Sequence, residues 1–151
     1  MDGINALIEK SCILLDKPMQ SIDEIIKALT NQLSERLPDI APATLMDKVI
    51  NEGFHTTCMG NECAITHARC PSMKKSLIAV IRLKPALNLV ALDKKNVKLV
   101  FLLVGPQKSA SYHLKILSRL ARILSHTSFR EGLFKAPDAE TFLNLIKQKE
   151  K

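Results

Sequence analysis

Two nearly continuous apolar segments constrain the fold of this chain more than any other feature. One runs from Ser76 to Pro85 and the other from Val97 to Pro106. The longest uninterrupted apolar stretch, Leu99–Val104, has the length of a buried strand. Strands this apolar need cover on both faces, because a strand with one face in water alternates apolar and polar residues. The sequence therefore predicts an α/β fold in the form of a three-layer α/β/α sandwich.

The other predicted elements alternate along the chain. Ser21 and Glu24 have the spacing of a capping box, and the apolar residues that follow recur at helical intervals, which predicts a helix to about Arg36. In chain order, the remaining predictions are a first strand at Ser11–Leu15, a helix from about Ala43 to Gly53, a short strand at Phe54–Met59 that leads into a loop carrying His67, and three helices that begin near Ser109, at Ser128 and after Asp138.

The composition fits one domain over residues 1–151. A chain of 151 residues with 46% hydrophobic content can bury a single core. The first residues do not form a basic-then-apolar signal peptide, and no apolar run approaches the ~18 residues of a membrane helix. We therefore expect a cytoplasmic protein without direct membrane insertion, in which the four cysteines are thiols rather than disulfides.

The formal net charge of +7 suggests an anionic partner. A basic stripe at helical spacing is formed by Lys115, Arg119 and Arg122, with Lys108 just upstream. It is either a solvated helix face or the source of a positive field that attracts a phosphoprotein. Nucleic-acid binding is not expected, because the chain has no tryptophan, one tyrosine and no basic region interleaved with aromatic residues.

One segment carries recognisable chemistry, and it reads Gly-Asn-Glu-Cys-Ala-Ile-Thr-His-Ala-Arg from Gly60 to Arg69. Its imidazole, His67, follows a short extended run that can aim the ring into a cleft. Because a free imidazole titrates near neutrality, an uncharged and nucleophilic ring is available at the pH of the cell. Of the three further histidines, we read His55 and His126 as ordinary exposed residues.

This segment resembles the active-site signature of the fructose-, mannitol- and nitrogen-type IIA components of the bacterial phosphotransferase system, which reads Gly-Asn-Gly-x-Ala-x-Pro-His. The two apolar segments resemble the central strands of that family, and His113 with the apolar residues after it resembles the helix that bears the family's second histidine. The resemblance covers about residues 7–146. It implies a mixed central sheet of about four to five strands.

The resemblance also implies a function and a set of site residues. The chain would be a phosphotransferase that accepts a phosphoryl group from an HPr-type carrier on the Nε2 atom of His67, with the other ring nitrogen held by a backbone carbonyl. His113 would stabilise the phosphate, and Arg69, Thr57 and Asn51 would bind the phosphate or the partner. No metal or organic cofactor is expected. The further partner would be a separate IIB component, for sugar transport, or a regulatory target, for nitrogen-type signalling.

Three departures from the family pattern leave an alternative open. Members of the family usually have glycine where Glu62 stands, proline where Thr66 stands and an arginine at or near Asn51. Loss of the proline removes a fixed φ, and loss of the arginine removes a planar bidentate donor to phosphate. The alternative is therefore a phosphorylation-deficient IIA-like module that only binds partners.

A second alternative is a structural zinc site. Cys58, Cys63, His67 and Cys70 form the pattern C-x4-C-x3-H-x2-C, and three thiolates with one imidazole are a known ligand set for zinc. The spacing lacks the tight C-x2-C pair with which recurrent zinc motifs begin. Such a site would occupy His67 and exclude phosphoryl transfer.

Overall fold

The computed structural model describes residues 3–52, 58–89 and 96–150, and gives the backbone alone for residues 58 and 59. Within these ranges the chain forms six helices and five strands. The helices are α1 (Ile4–Leu7), α2 (Ile22–Ser34), α3 (Pro42–Glu52), α4 (Ala110–Leu124), α5 (Thr127–Lys135) and α6 (Ala139–Lys149), and the strands are β1 (Ile8–Lys17), β2 (Cys58–Gly60), β3 (Cys63–Cys70), β4 (Leu77–Leu87) and β5 (Val97–Pro106).

The strands form one mixed sheet in the order β1-β4-β5-β3-β2. The two predicted apolar strands, β4 and β5, are antiparallel neighbours at its centre, and β5 also pairs in parallel with β3. β1 pairs in parallel with β4, and β2 pairs antiparallel with β3. The prediction of a mixed sheet of four to five strands is confirmed.

Helices cover both faces of this sheet. Successive residues of β5 point to opposite faces, so Val100 and Leu102 join a core under α2 and α3, whereas Phe101 and Leu103 join a second core under α1, α4, α5 and α6. Residues 99 to 104 are all fully buried. The three-layer α/β/α sandwich predicted from the apolar strands is confirmed.

Local signals predicted helix starts with mixed success. Ser21 caps α2, since its hydroxyl accepts a hydrogen bond from the Glu24 N–H at 3.2 Å, and Asp138 caps α6 in the same way through the Thr141 N–H at 2.8 Å. The prediction that α5 begins at Ser128 was wrong. The helix begins one residue earlier, and its N-cap residue is His126, whose side chain makes no capping bond.

The prediction that His67 lies in a loop was also wrong. β3 continues through this residue, and each of its residues from Cys63 to Cys70 has a partner in the parallel ladder with β5. The reason is the position of β3 in the sheet, because β5 pairs with its backbone over the whole segment and satisfies the groups that face it. Phe54–Thr57, the larger part of the predicted short strand, lies outside the described residues.

A buried arginine ties the sheet to the helices on one face. Arg82 of β4 is 6% exposed and donates to both carboxylate oxygens of Asp16, at 2.8 and 3.0 Å. The same guanidinium donates to the carbonyls of Leu133 and Ala136, at 3.0 and 2.8 Å.

None of the helices in the described parts of the chain combines the length and the apolar character that a membrane span requires.

Candidate functional site

The two histidines singled out in the sequence are in contact. The His113 Nε2 atom lies 3.2 Å from the His67 Nδ1 atom, within hydrogen-bond distance. The ring centroids are 5.2 Å apart and the ring planes are tilted by 59°. His113 is 4% exposed, whereas His67 is half-buried and reaches solvent. The pair is thus one buried ring behind one accessible ring.

The sheet topology brings these two rings together. His67 shares a strand face with Cys63 and Ile65, which belong to the core under α4. α4 begins four residues after β5 ends, and β5 is the parallel neighbour of β3, with Leu103 opposite His67. His113 lies in the opening turns of α4, as predicted, where its N–H donates to the Ser109 carbonyl.

A glycine makes room for the buried ring. A Cβ atom added at Gly105, near the end of β5, would lie 2.7 Å from the Ser76 hydroxyl oxygen and 3.3 Å from the His113 Nδ1 atom. The first separation is closer than non-bonded atoms come in a packed core. Gly105 is therefore needed for the close packing of Ser76 and His113 against β5.

The environment keeps both imidazoles uncharged. Burial lowers the pKa of His67 below its ordinary value of 6.5, while the carboxylate of Glu52 raises it and the charge of Arg69 lowers it further. Burial, together with the charges of His67 and Arg69, lowers the pKa of His113 to about 4. At neutral pH both rings are neutral, which leaves lone pairs on ring nitrogens for chemistry.

The contact distinguishes the two nitrogens of His67. Its Nδ1 atom faces His113, so Nε2 is the nitrogen outside the pair. The resemblance implied a backbone carbonyl as the partner of the second nitrogen, but the structure has an imidazole in that place. The other nitrogen of His113, Nδ1, is buried and has no hydrogen-bond partner among the described residues.

Arg69 and Glu52 border the histidine pair. Arg69 is two residues beyond His67 on the same strand face, and its guanidinium donates to the Gln107 carbonyl at 3.2 Å. Its backbone N–H donates to the Glu52 carboxylate at 2.9 Å. The sequence analysis missed Glu52. In the sequence Glu52 has a local partner at i,i+4 spacing, Lys48, which lies 3.6 Å away in the structure, so no signal showed that its other carboxylate oxygen reaches Arg69.

Of the other residues considered in the sequence, the described ones are not joined to the pair. Asn51 is exposed in the last turn of α3 and makes no hydrogen bond to either histidine. Thr57 and His55 lie outside the described residues. His126 is exposed, as predicted, between α4 and α5.

Two of the departures from the family pattern leave the geometry of the pair intact. Glu62 has φ 68°, the left-handed conformation that glycine adopts without strain, and its carbonyl accepts hydrogen bonds from the Lys98 and Leu99 N–H groups. Thr66 is fully buried and points to the sheet face opposite His67, and its hydroxyl oxygen has no hydrogen-bond partner among the described residues.

The predicted zinc site is not assembled. Cys63 lies in the core under α4 and Cys70 in the core under α2 and α3, so the two thiols are on opposite faces of the sheet. They cannot share one metal ion. No group of three potential ligands occurs among the described residues. Cys12, Cys63 and Cys70 are free thiols, and burial raises the pKa of Cys63 to about 12, so Cys63 fills apolar space as predicted.

Comparison with known families agrees with this geometry. A sequence model of the family "Phosphoenolpyruvate-dependent sugar phosphotransferase system, EIIA 2" matches residues 6–149, nearly the whole chain. The chain belongs to this family. EIIA domains are phosphotransferases with a phosphohistidine intermediate, which confirms the class of chemistry predicted from the histidine motif.

Relatives of this EIIA domain include both regulatory and sugar-specific proteins. The chain is 28% identical over 134 residues to a nitrogen regulatory protein of Pseudomonas aeruginosa, covering 88% of this chain and 87% of that protein. It is 34% identical over 95 residues to a fructose-specific EIIA component of Haloferax volcanii, covering 63% and 62%. The solved structure of the nitrogen regulatory protein IIA-Ntr from Neisseria meningitidis superposes with a TM-score of 0.88 at 27% identity, covering 95% of this chain and 98% of that one.

Proposed function

We propose that this EIIA domain accepts a phosphoryl group on the Nε2 atom of His67 from the phosphohistidine of an HPr-type carrier. The observation that carries the proposal is the contact between His67 Nδ1 and His113 Nε2, since it leaves Nε2 as the nitrogen for attack on phosphorus. We propose that residues 1–151 form the single domain that carries out this reaction. We place it in the cytoplasm with the carriers of this system.

The transfer exchanges one P–N bond for another. The Nε2 lone pair of His67 attacks phosphorus in line with the carrier's imidazole, the new P–N bond forms, and the carrier's imidazole leaves with its electron pair. A lone pair on Nε2 requires the proton of the neutral ring on Nδ1, so Nδ1–H donates to His113 Nε2 in the reactive tautomer. This contact also holds the ring in one orientation for attack.

His113 supports the phosphorylated state through the same contact. Attack through Nε2 leaves positive charge on the His67 ring, and the His113 lone pair stabilises the Nδ1 proton that carries it. Because the pKa of His113 is about 4, this ring is neutral before transfer and is available as an acceptor. The phosphate stabilisation predicted for His113 is in this proposal exerted through the ring of His67.

Arg69 and Asn51 complete the proposed surface for phosphate and partner. Arg69 brings a fixed positive charge on the strand face of His67, where it favours the phosphoryl oxygens. Asn51 offers a neutral amide at the exposed end of α3, and Thr57 is proposed from the sequence alone. EIIA domains interact with HPr-type carriers and IIB components. For this chain we propose that His67 receives phosphate from the first and passes it to the second or holds it as a regulatory signal.

Intact-mass measurement tests the acceptor. The chain is incubated with phosphoenolpyruvate, enzyme I and an HPr-type carrier, and the expected product carries one acid-labile phosphoryl group. His67→Gln should carry none, whereas the control variant His126→Gln, which removes an exposed histidine outside the pair, should be modified like the wild type. Modification of His67→Gln, or none of the wild type, would contradict the proposal. The second result would favour the phosphorylation-deficient module.

A further inference from the structure

Five cationic or basic side chains from two helices and one junction converge on a cavity away from the histidine pair. The cavity has a volume of about 690 Å³, and we refer to it as the basic cavity. It is bordered by the C-terminal halves of α4 and α6 and by the N-terminus of α1, and its basic side chains are Arg119, Arg122, His126, Lys147 and Lys149. Arg119 and Arg122 belong to the basic stripe seen in the sequence, and neither side chain hydrogen-bonds to His67 or His113.

The charge of the basic cavity is poorly compensated. Among the described residues that line it, Arg119, Arg122, Lys147 and Lys149 bring four permanent positive charges, and Glu150 brings the one negative charge, a net charge of +3. The Glu150 carboxylate is already engaged, because it accepts hydrogen bonds from the N–H groups of Ile4 and Asn5 at 2.7 and 3.0 Å. Its distance to Arg119 Nη1 is 3.7 Å, a long ion pair.

Helix ends explain why some of these basic residues occur where they do, each taken by itself. Arg122, Lys147 and Lys149 lie in the last turns of α4 and α6, where positive charge is favourable beside the helix C-terminus. That effect does not require the side chains to share a cavity. The basic side chains come from α4, α6 and the junction after α4, so the end of one helix does not account for the excess of positive charge around one cavity, and an anion bound there would compensate it.

We propose that the basic cavity binds the polyphosphate group of a small molecule. Two guanidinium groups match the paired oxygens of a phosphate, and two ammonium groups supply further charge. The volume lies within the range of about 300 to 1,000 Å³ in which proteins bind small molecules. The described residues that line the cavity include no phenylalanine, tyrosine or tryptophan on which the bases of a nucleic acid would stack.

This site is separate from the phosphoryl acceptor. Both His113 and Arg122 lie on α4, nine residues apart, which places them roughly 13 Å apart along the helix axis. A ligand in the basic cavity would contact α4, α6 and the N-terminus of α1 together, and would stabilise their association.

Titration calorimetry with tripolyphosphate and ATP tests the proposal, with adenosine as the uncharged control. We expect tripolyphosphate to bind, and Arg122→Glu/Lys147→Glu to weaken binding by about tenfold or more. The matched control Lys17→Glu/Lys27→Glu makes the same change in net charge at exposed positions of β1 and α2, and should bind as the wild type does. ATP binding as tight as that of tripolyphosphate would identify the phosphate chain as the recognised group, and tighter ATP binding would add a nucleoside contact.

Three results would overturn the inference. They are no binding of tripolyphosphate or ATP, an equal loss of binding in both double variants, and binding that disappears in His67→Gln, which would locate the anion at the histidine pair. In the first of these cases, association of the wild type with phosphatidylglycerol vesicles would assign the charge to a membrane surface. The final amount of phosphoryl group on His67 should be unchanged in Arg122→Glu/Lys147→Glu, because neither side chain contacts the histidine pair, so failure of this proposal and failure of the proposed function are distinguishable.

Discussion

The depressed pKa of His113 predicts a specific dependence of stability on pH. In the unfolded chain the imidazole titrates at its ordinary value of 6.5, and in the folded protein at about 4. Between these values the unfolded state binds more protons than the folded state, so acid favours unfolding. The contribution of His113 is complete above pH 6.5 and is lost progressively as the pH falls towards 4.

The two pKa values give the magnitude. At about pH 5, proton binding by one group with these two pKa values favours the unfolded state over the folded state by a factor near 30. This factor corresponds to a loss of about 2 kcal/mol in the free energy of unfolding. A typical domain is stable by about 5 to 15 kcal/mol, so this loss is measurable.

Urea denaturation at a series of pH values, for the wild type and His113→Gln, measures this term. The variant has no imidazole to protonate at this position, so its free energy of unfolding should fall by about 2 kcal/mol less between neutral and acidic pH. Any loss of packing in the variant is independent of pH and does not affect the comparison. His126→Gln serves as the control, because solvent reaches that ring in the folded and unfolded chain alike. Parallel pH curves for the wild type and His113→Gln would refute the reasoning.

Three further substitutions test the packing of the site and of the fold. Gly105→Ala should slow phosphorylation of His67 by about tenfold or more, because the added Cβ displaces the buried histidine. The further substitution Ser76→Ala should restore part of the rate. A time course of intact mass measures the rate, and an unchanged rate in Gly105→Ala would contradict this prediction. Thr66→Val should raise the free energy of unfolding in urea by about 1 kcal/mol by removing an unpaired hydroxyl, and a decrease would show that the hydroxyl is satisfied. Arg82→Met should lower the free energy of unfolding by roughly 3 kcal/mol, because two buried carbonyls lose their hydrogen-bond donor. An unchanged free energy of unfolding would show that Arg82 is not needed as that donor.

The layered fold was predictable because it depends on apolar patterning. The continuous runs at β4 and β5 require cover on both faces, and the capping residues Ser21 and Asp138 fix the starts of two helices. The strand character of His67 was not predictable from local signals. It depends on the ladder with β5, a pairing between segments more than thirty residues apart.

The candidate site was predictable in part for the same reason. The motif around His67 and the position of His113 were sufficient to select both histidines, but only the sheet order shows that the rings touch. Glu52 acts on the site through space, from the end of another helix, and no spacing in the sequence connects it to Arg69. Gly105 is needed because a Cβ atom at this position would come too close to two side chains, and a sequence pattern does not report that distance.

The departures from the family pattern do not have equal weight for the rival hypothesis of a phosphorylation-deficient module. Glu62 keeps a backbone conformation that glycine would adopt, and its side chain forms an ion pair with Lys98 at 3.0 Å that offsets part of the strain. Thr66 points away from His67 into the opposite core, so its hydroxyl affects stability rather than phosphoryl transfer. Asn51 is the one departure among these three that removes a positive charge available to a phosphoryl group. If His67 is not phosphorylated, Asn51→Arg is therefore the substitution that should restore acceptance, and Glu62→Gly and Thr66→Pro should not.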